Sequence, residues 1–179
     1  MIKTIDNFFP EEIREKIFQL LNRPKWSYNG GNSANRFWHM DGLEKEDYFN
    51  TTLFTLICNE IGDYNCKRIY ANGQTAGQNG YPHCDDGDVT FLYYPNPAWN
   101  VGDQGHLIFL KDDEVTSTVL YKPNRAVVFT ADTLHYAEAP HRFFNGLRIS
   151  LAYKLLFKHD GRNPSHTTTT NIPRDIKER

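Results

Sequence analysis

Cysteine is scarce. Cys58, Cys66 and Cys84 stand far apart with no Cys-x-x-Cys pair, which excludes a zinc ribbon and a disulfide framework and favours a reducing compartment. Long apolar runs are also missing. No stretch approaches the roughly 18 apolar residues of a membrane span, and MIKTIDNFFPEEIREK lacks the apolar run of a signal peptide, so the expected location is cytoplasmic with no membrane partner. Neither sign of charge dominates: 20 Lys and Arg against 22 Asp and Glu leave −2. Without a global basic field, nucleic acid is not an expected partner. No internal repeat is visible, and no GxSxG, GxxxxGK[ST] or GxGxxG stands in a supporting context.

What is present fits one domain over residues 1–179: 39% hydrophobic and 23% charged residues, with aromatics at 14%. Residues 1–65 read as a mostly helical lead-in. In PEEIREKIFQLLNRP, Pro10, Glu11 and Glu12 form a good first turn, Ile13, Ile17, Leu20 and Leu21 share a face, and Pro24 ends the helix. In EDYFNTTLFTLICNEIG, Phe49, Leu53, Leu56, Ile57 and Ile61 recur at helical spacing before Gly62. Both helices are expected to serve packing. WSYNGGNSANRFWHM between them has the composition of a loop.

From residue 66 to 157 the pattern changes to short strands: KRIYANG, VTFLYYP, HLIFLK, STVLY, RAVVFTA, HYAEAP and LRISLAYKLLF. Strands at this spacing without helices between them predict a mainly β antiparallel sandwich or barrel. Residues 158–179 read as a polar tail.

Chemistry gathers in GYPHCDDGDVTFLYYPNPAW. In an extended segment His83 and Asp85 point to the same side, so imidazole and carboxylate can reach one metal ion. From that tripeptide alone a turn is a commoner reading than a site. A further histidine, His135, ends an apolar strand 50 residues after Asp85. Two histidines and one carboxylate form a facial triad, which suits iron(II) and leaves coordination positions open. Arg148 lies within the apolar strand LRISLAY, where a guanidinium needs an anion: a bound carboxylate, or an internal Asp or Glu. Other readings exist. DDGD lacks the later Glu of a calcium loop. A glycosidase pair would leave the histidines unused. A non-catalytic jelly-roll binding module explains the strands but not the triad and arginine together.

PHCDDGDVTFLYYPNPAW, GDQGHLIFL, PNRAVVFTADTLHYAEAP and LRISLAYK, in that order, resemble the catalytic core of Fe(II)/2-oxoglutarate-dependent oxygenases, specifically the prolyl 4-hydroxylase-like branch. The similarity covers about residues 66 to 157, and IDNFFPEEIREKIFQLL is similar to the branch's helical lead-in. The resemblance implies a double-stranded β-helix, or jelly roll, with N-terminal packing helices. It implies iron(II) on His83, Asp85 and His135, and 2-oxoglutarate with its far carboxylate on Arg148 and Tyr94. Tyr70, Thr90 and Ser150 become further pocket residues. Molecular oxygen is the implied oxidant, ascorbate an accessory, and C–H hydroxylation, first of a peptidyl proline, the implied reaction. A nucleobase or small molecule is the alternative substrate.

Two features depart from the branch. His135 and Arg148 are 13 residues apart, which leaves His141 and Arg142 as rivals, although HYAEAP and the strand around Arg148 favour the first pair. Lys154 stands where prolyl hydroxylases tend to place a tryptophan near the substrate, which bears on the prolyl assignment. Residues 71–82, rich in Gly, Gln and Asn, form a candidate lid or an ordinary connector.

Overall fold

The structure, a computed structural model, describes residues 2–32 and 35–158. The polar tail expected after Lys158 lies outside the described residues. Strand β10 (Arg148–Phe157) sends successive side chains to opposite faces, and this alternation organises the molecule. Ile149, Leu151, Tyr153 and Leu155 enter one buried cluster; Ala152 enters a second on the opposite face, which it shares with Arg148, Ser150 and Lys154.

The strands preceding β10 are β1 (Ile2–Ile5), β2 (Ser27–Asn32), β3 (Asn35–Met40), β4 (Tyr64–Gln74), β5 (Val89–Tyr93), β6 (Leu107–Lys111), β7 (Glu114–Val119), β8 (Ala126–Thr130) and β9 (His135–Ala137). A seven-stranded sheet has the order β1-β8-β5-β10-β4-β3-β2, and a three-stranded sheet the order β7-β6-β9. All their pairings are antiparallel. Tyr70, Leu92, Tyr94 and Ala152 of the large sheet and its flank pack with Leu107, Phe109 and Val119 of the small one, giving the expected jelly-roll sandwich.

Helices cover the outer face of the large sheet. From α1 (Glu11–Leu21), Ile17 and Leu21 are buried; from the π-helical stretch Tyr48–Leu53 and α2 (Phe54–Ile61), Phe49, Leu53 and Ile57 are buried. All join Phe91, Tyr93, Leu151 and Tyr153 in one cluster. Each such apolar side chain contributes about 1.5–3 kcal/mol on burial.

Three segments differ from the sequence reading. Residues 26–40, expected as a loop, contain the hairpin β2–β3, and Trp38, His39 and Met40 extend the large sheet against Gly73, Asn72 and Ala71. Gly30, Gly31 and Asn32 hide the strand alternation there. Ile2–Ile5 is too short a run to read as a strand, yet it pairs with β8. Residues 71–74, expected to open the candidate lid, are instead the end of β4, with Ala71, Gly73 and Gln74 buried.

Asn124 ties the N-terminal segment to this frame. Its Oδ1 accepts from the Phe9 N–H at 2.9 Å and the Tyr93 hydroxyl at 3.1 Å, while its Nδ2 donates to the Phe9 carbonyl at 2.8 Å. Its φ of 60° is one that Asn tolerates better than alanine. Asn124→Ala is expected to lose about 2 kcal/mol or more, because buried groups lose their partners. A urea midpoint indistinguishable from wild type would contradict this.

Candidate active site

Backbone pairing brings the two histidines together. His83 and His135 form an isolated antiparallel bridge in which each N–H donates to the other's carbonyl at 3.0 Å. The Asp85 N–H then donates to the Ala131 carbonyl at 2.8 Å, fixing the carboxylate at the same end of the strands. One ligand atom from each of His83, Asp85 and His135 lies within 4.8 Å of the others, a group that can hold a metal ion.

The rings are oriented for that task. His83 Nδ1 lies 2.7 Å from the Tyr81 carbonyl and His135 Nδ1 lies 2.8 Å from the Thr133 carbonyl. A carbonyl only accepts, so each Nδ1 carries a proton, and in its neutral form each ring then offers Nε2 as the ligand atom. These nitrogens face Asp85 Oδ1 at 3.4 Å and Oδ2 at 3.5 Å. Two imidazole nitrogens and one carboxylate gathered this closely are a donor set that fits a divalent ion.

Hydrogen bonding to Asp85 raises the His83 pKa, against burial, whereas burial above all lowers that of His135. Burial alone would raise Asp85; the His83 hydrogen bond and the charge of Lys154 nevertheless hold it well below the usual carboxylate range.

Arg148 is 1% exposed. Its Nε donates to the Gly105 carbonyl at 2.7 Å and its Nη1 to Gln74 Oε1 at 2.8 Å, both neutral acceptors. Among the described residues it has no carboxylate in an ion pair, so its charge is available to a bound anion. Gly105 is required here: its φ is +73°, and a Cβ would meet Arg148 Cδ at 2.9 Å. The Tyr94 hydroxyl is buried without a hydrogen-bond partner, and the Arg148 guanidinium carbon lies 5.6 Å from the Tyr94 ring centre. Burial pushes the Tyr94 pKa up to about 12, opposed by the charge of Arg148. An unpartnered phenol beside an unpaired guanidinium fits a carboxylate ligand.

A cavity of about 250 Å³ has His83 in its wall together with Gln74, Asn72, Ser150, Phe37 and Tyr81, and Gln74, the acceptor of Arg148 Nη1, links that wall to the buried guanidinium. Ser150 lies in the cavity wall. Thr90 is instead beside the carboxylate, donating to Asp85 Oδ2 at 2.6 Å. Tyr70 packs at the same end, its ring centre 5.6 Å from Lys154 Nζ. The rivals lie elsewhere: exposed Arg142 stacks on Phe143, and His141 is in its own turn, outside the metal-capable group.

Sequence reasoning passed over Gln74 and Tyr121. Tyr121 donates to the Ile149 carbonyl at 2.6 Å, and the Arg148 guanidinium carbon stands 4.9 Å from its ring centre. Gln74 shares a face of β4 with Tyr70 and Asn72, opposite Arg148, a placement set by the β4–β10 register.

No family model and no curated protein matches the sequence. Solved structures do match. A Trichoplax adhaerens prolyl hydroxylase, in complex with a hypoxia-inducible factor oxygen degradation domain peptide fragment, is 21% identical with a TM-score of 0.63 over 86% of this chain and 82% of its own. A Pseudomonas putida prolyl-4-hydroxylase is 16% identical with a TM-score of 0.61, over 86% of this chain and 91% of its own. HygX from Streptomyces hygroscopicus, with nickel and 2-oxoglutarate bound, is 11% identical with a TM-score of 0.62, over 85% and 81%. The chain thus has the fold of the 2-oxoglutarate/Fe(II) oxygenases, prolyl hydroxylases among them, as its motifs implied.

Proposed function

We propose that this chain is an Fe(II)- and 2-oxoglutarate-dependent dioxygenase that hydroxylates a C–H bond, with a peptidyl proline as its first substrate. The observation that carries the proposal is the convergence of two Nε2 lone pairs and the Asp85 carboxylate, both Nδ1 protons being committed to backbone carbonyls. His83, Asp85 and His135 hold the metal. Bound iron with 2-oxoglutarate and O2 would supply the oxidising chemistry, one oxygen atom entering succinate as carbon dioxide leaves the keto acid and the other entering the substrate C–H bond as hydroxyl.

The chain's own residues bind and orient. Arg148 receives the far carboxylate of the keto acid on its guanidinium, and the Tyr94 hydroxyl donates to the same group. Thr90 fixes Asp85 and Ser150 lines the cavity, while Tyr70 packs buried beside Lys154. The peptide substrate is supported by the aromatic wall of the cavity, Phe37 and Tyr81, the latter 66% exposed. It is also supported by the peptide held by the Trichoplax enzyme. Among the described residues no helix is long and apolar enough to cross a membrane, and the three cysteines are free, which supports a cytoplasmic setting.

Succinate release with iron(II) and 2-oxoglutarate, with and without proline-rich peptides, tests the activity. His83→Ala, Asp85→Ala and His135→Ala should each fall to background; unchanged turnover in these variants would reject the site. Arg148→Ala should raise the 2-oxoglutarate KM roughly 30-fold or more, the effect of losing a buried charged partner, whereas Arg142→Ala should leave it near wild type. The reverse order would move the anion site. Tyr94→Phe should weaken 2-oxoglutarate by about fivefold, near 1 kcal/mol, with no loss of melting temperature in its absence, because the hydroxyl has no protein partner to lose. A destabilised protein with unchanged keto-acid affinity would contradict that role.

A further inference from the structure

Lys154 is 2% exposed, and its ammonium lies on the candidate metal ligand. Nζ forms an ion pair with Asp85 Oδ2 and lies 3.2 Å from Thr90 Oγ1, the group that donates to the same Oδ2. The placement follows from register. Lys154 lies directly opposite Thr90 across the β10–β5 pair, on the β10 face that also carries Arg148. The other nearby acid is already matched, since Asp86 pairs with Lys67 at 3.1 Å and with Arg68 at 3.2 Å. Asp85 is therefore the one anion in ion-pair contact with Lys154 among the described residues.

A charge count shows what this does. With neutral imidazoles, Asp85 and Lys154 sum to zero, so a divalent ion alone leaves the buried cluster doubly positive. A dianionic keto acid, its far carboxylate matched by Arg148, brings one negative charge to the cluster and lowers the sum to +1. Without the ammonium the same steps give −1, +1 and 0. A like charge held this close to a poorly solvated ion opposes it strongly.

We propose that Lys154 is a positioning residue that makes metal retention depend on the keto acid: its buried ammonium on Asp85 opposes the divalent ion until 2-oxoglutarate joins it. This rests on the proposed metal and co-substrate site and adds an order to its assembly. By linkage, the factor by which the keto acid tightens the metal is the factor by which the metal tightens the keto acid. An ordinary supporting partner of a ligand carboxylate acts in the opposite sense, since its removal typically weakens metal binding roughly 10- to 100-fold.

The test is anaerobic titration of redox-silent Mn(II) into wild type and Lys154→Met, each with and without saturating 2-oxoglutarate. Wild type should bind Mn(II) at least about tenfold more tightly with the keto acid present. Lys154→Met should bind Mn(II) alone on the order of tenfold or more tightly than wild type, and gain less from the keto acid. Its melting temperature should also rise further on adding Mn(II). Lys154→Gln carries the same expectation, and Lys154→Arg, which keeps the charge, should behave like wild type. Equal or weaker Mn(II) binding by both neutral variants, or a wild-type affinity indifferent to 2-oxoglutarate, overturns the proposal while leaving the metal site standing. Should neither wild type nor variants bind Mn(II) under any condition, the site itself falls and the coupling with it. His83→Ala, which removes a ligand but not the ammonium, separates binding at this site from binding elsewhere.

Discussion

Two backbone hydrogen bonds between His83 and His135, each of 3.0 Å, hold together residues separated by half a hundred positions of chain. The pairing is a main-chain interaction, so it is indifferent to the imidazoles it positions. It sets their spacing and leaves the rings to be oriented locally by the Tyr81 and Thr133 carbonyls. The approach is close along its length. Gly80 donates to the Ala137 carbonyl at 2.7 Å, and a Cβ at that glycine would press on Ala137 backbone atoms at 3.0 Å. Without this strand-like pairing, His83 would sit in a solvated turn.

The second constraint is the alternation of β10. Its odd-numbered residues from Ile149 to Leu155 stabilise the sheet against the helices, which leaves Arg148, Ser150, Ala152 and Lys154 together on the opposite face. Two buried cations on one strand face would be costly without anions. Lys154 has Asp85, whereas Arg148 has only neutral acceptors among the described residues. One end of the face thus carries an ion pair on Asp85 and the other a guanidinium held by neutral acceptors, and His83, Ser150 and Gln74 share the wall of one cavity.

Much of this was legible in the sequence because it is written in period-two patterns: HCD puts His83 and Asp85 on one side, and VTFLYY and RISLAYK each place polar groups on one face and apolar bulk on the other. The hairpin at Ser27–Met40 was not legible, since glycine and asparagine break its alternation and its partner strand is distant. Gln74 was hidden for the same reason, lying inside NGQTAGQNG, whose composition reads as a connector although β4 continues to its third residue. Thr90 was read as a pocket polar group, but whether it faces the keto acid or the carboxylate depends on cross-strand register, which no local pattern encodes. The contact of Lys154 with Asp85 is of that kind too.

The most direct measurement is a crystal structure of the wild-type protein grown anaerobically with Mn(II) and 2-oxoglutarate, with the metal located by its anomalous scattering. The account predicts one strong peak bonded to His83 Nε2, Asp85 and His135 Nε2, with keto-acid density running from it to Arg148 and Tyr94. A metal bound away from that trio, or a keto acid seated on Arg142, would contradict it.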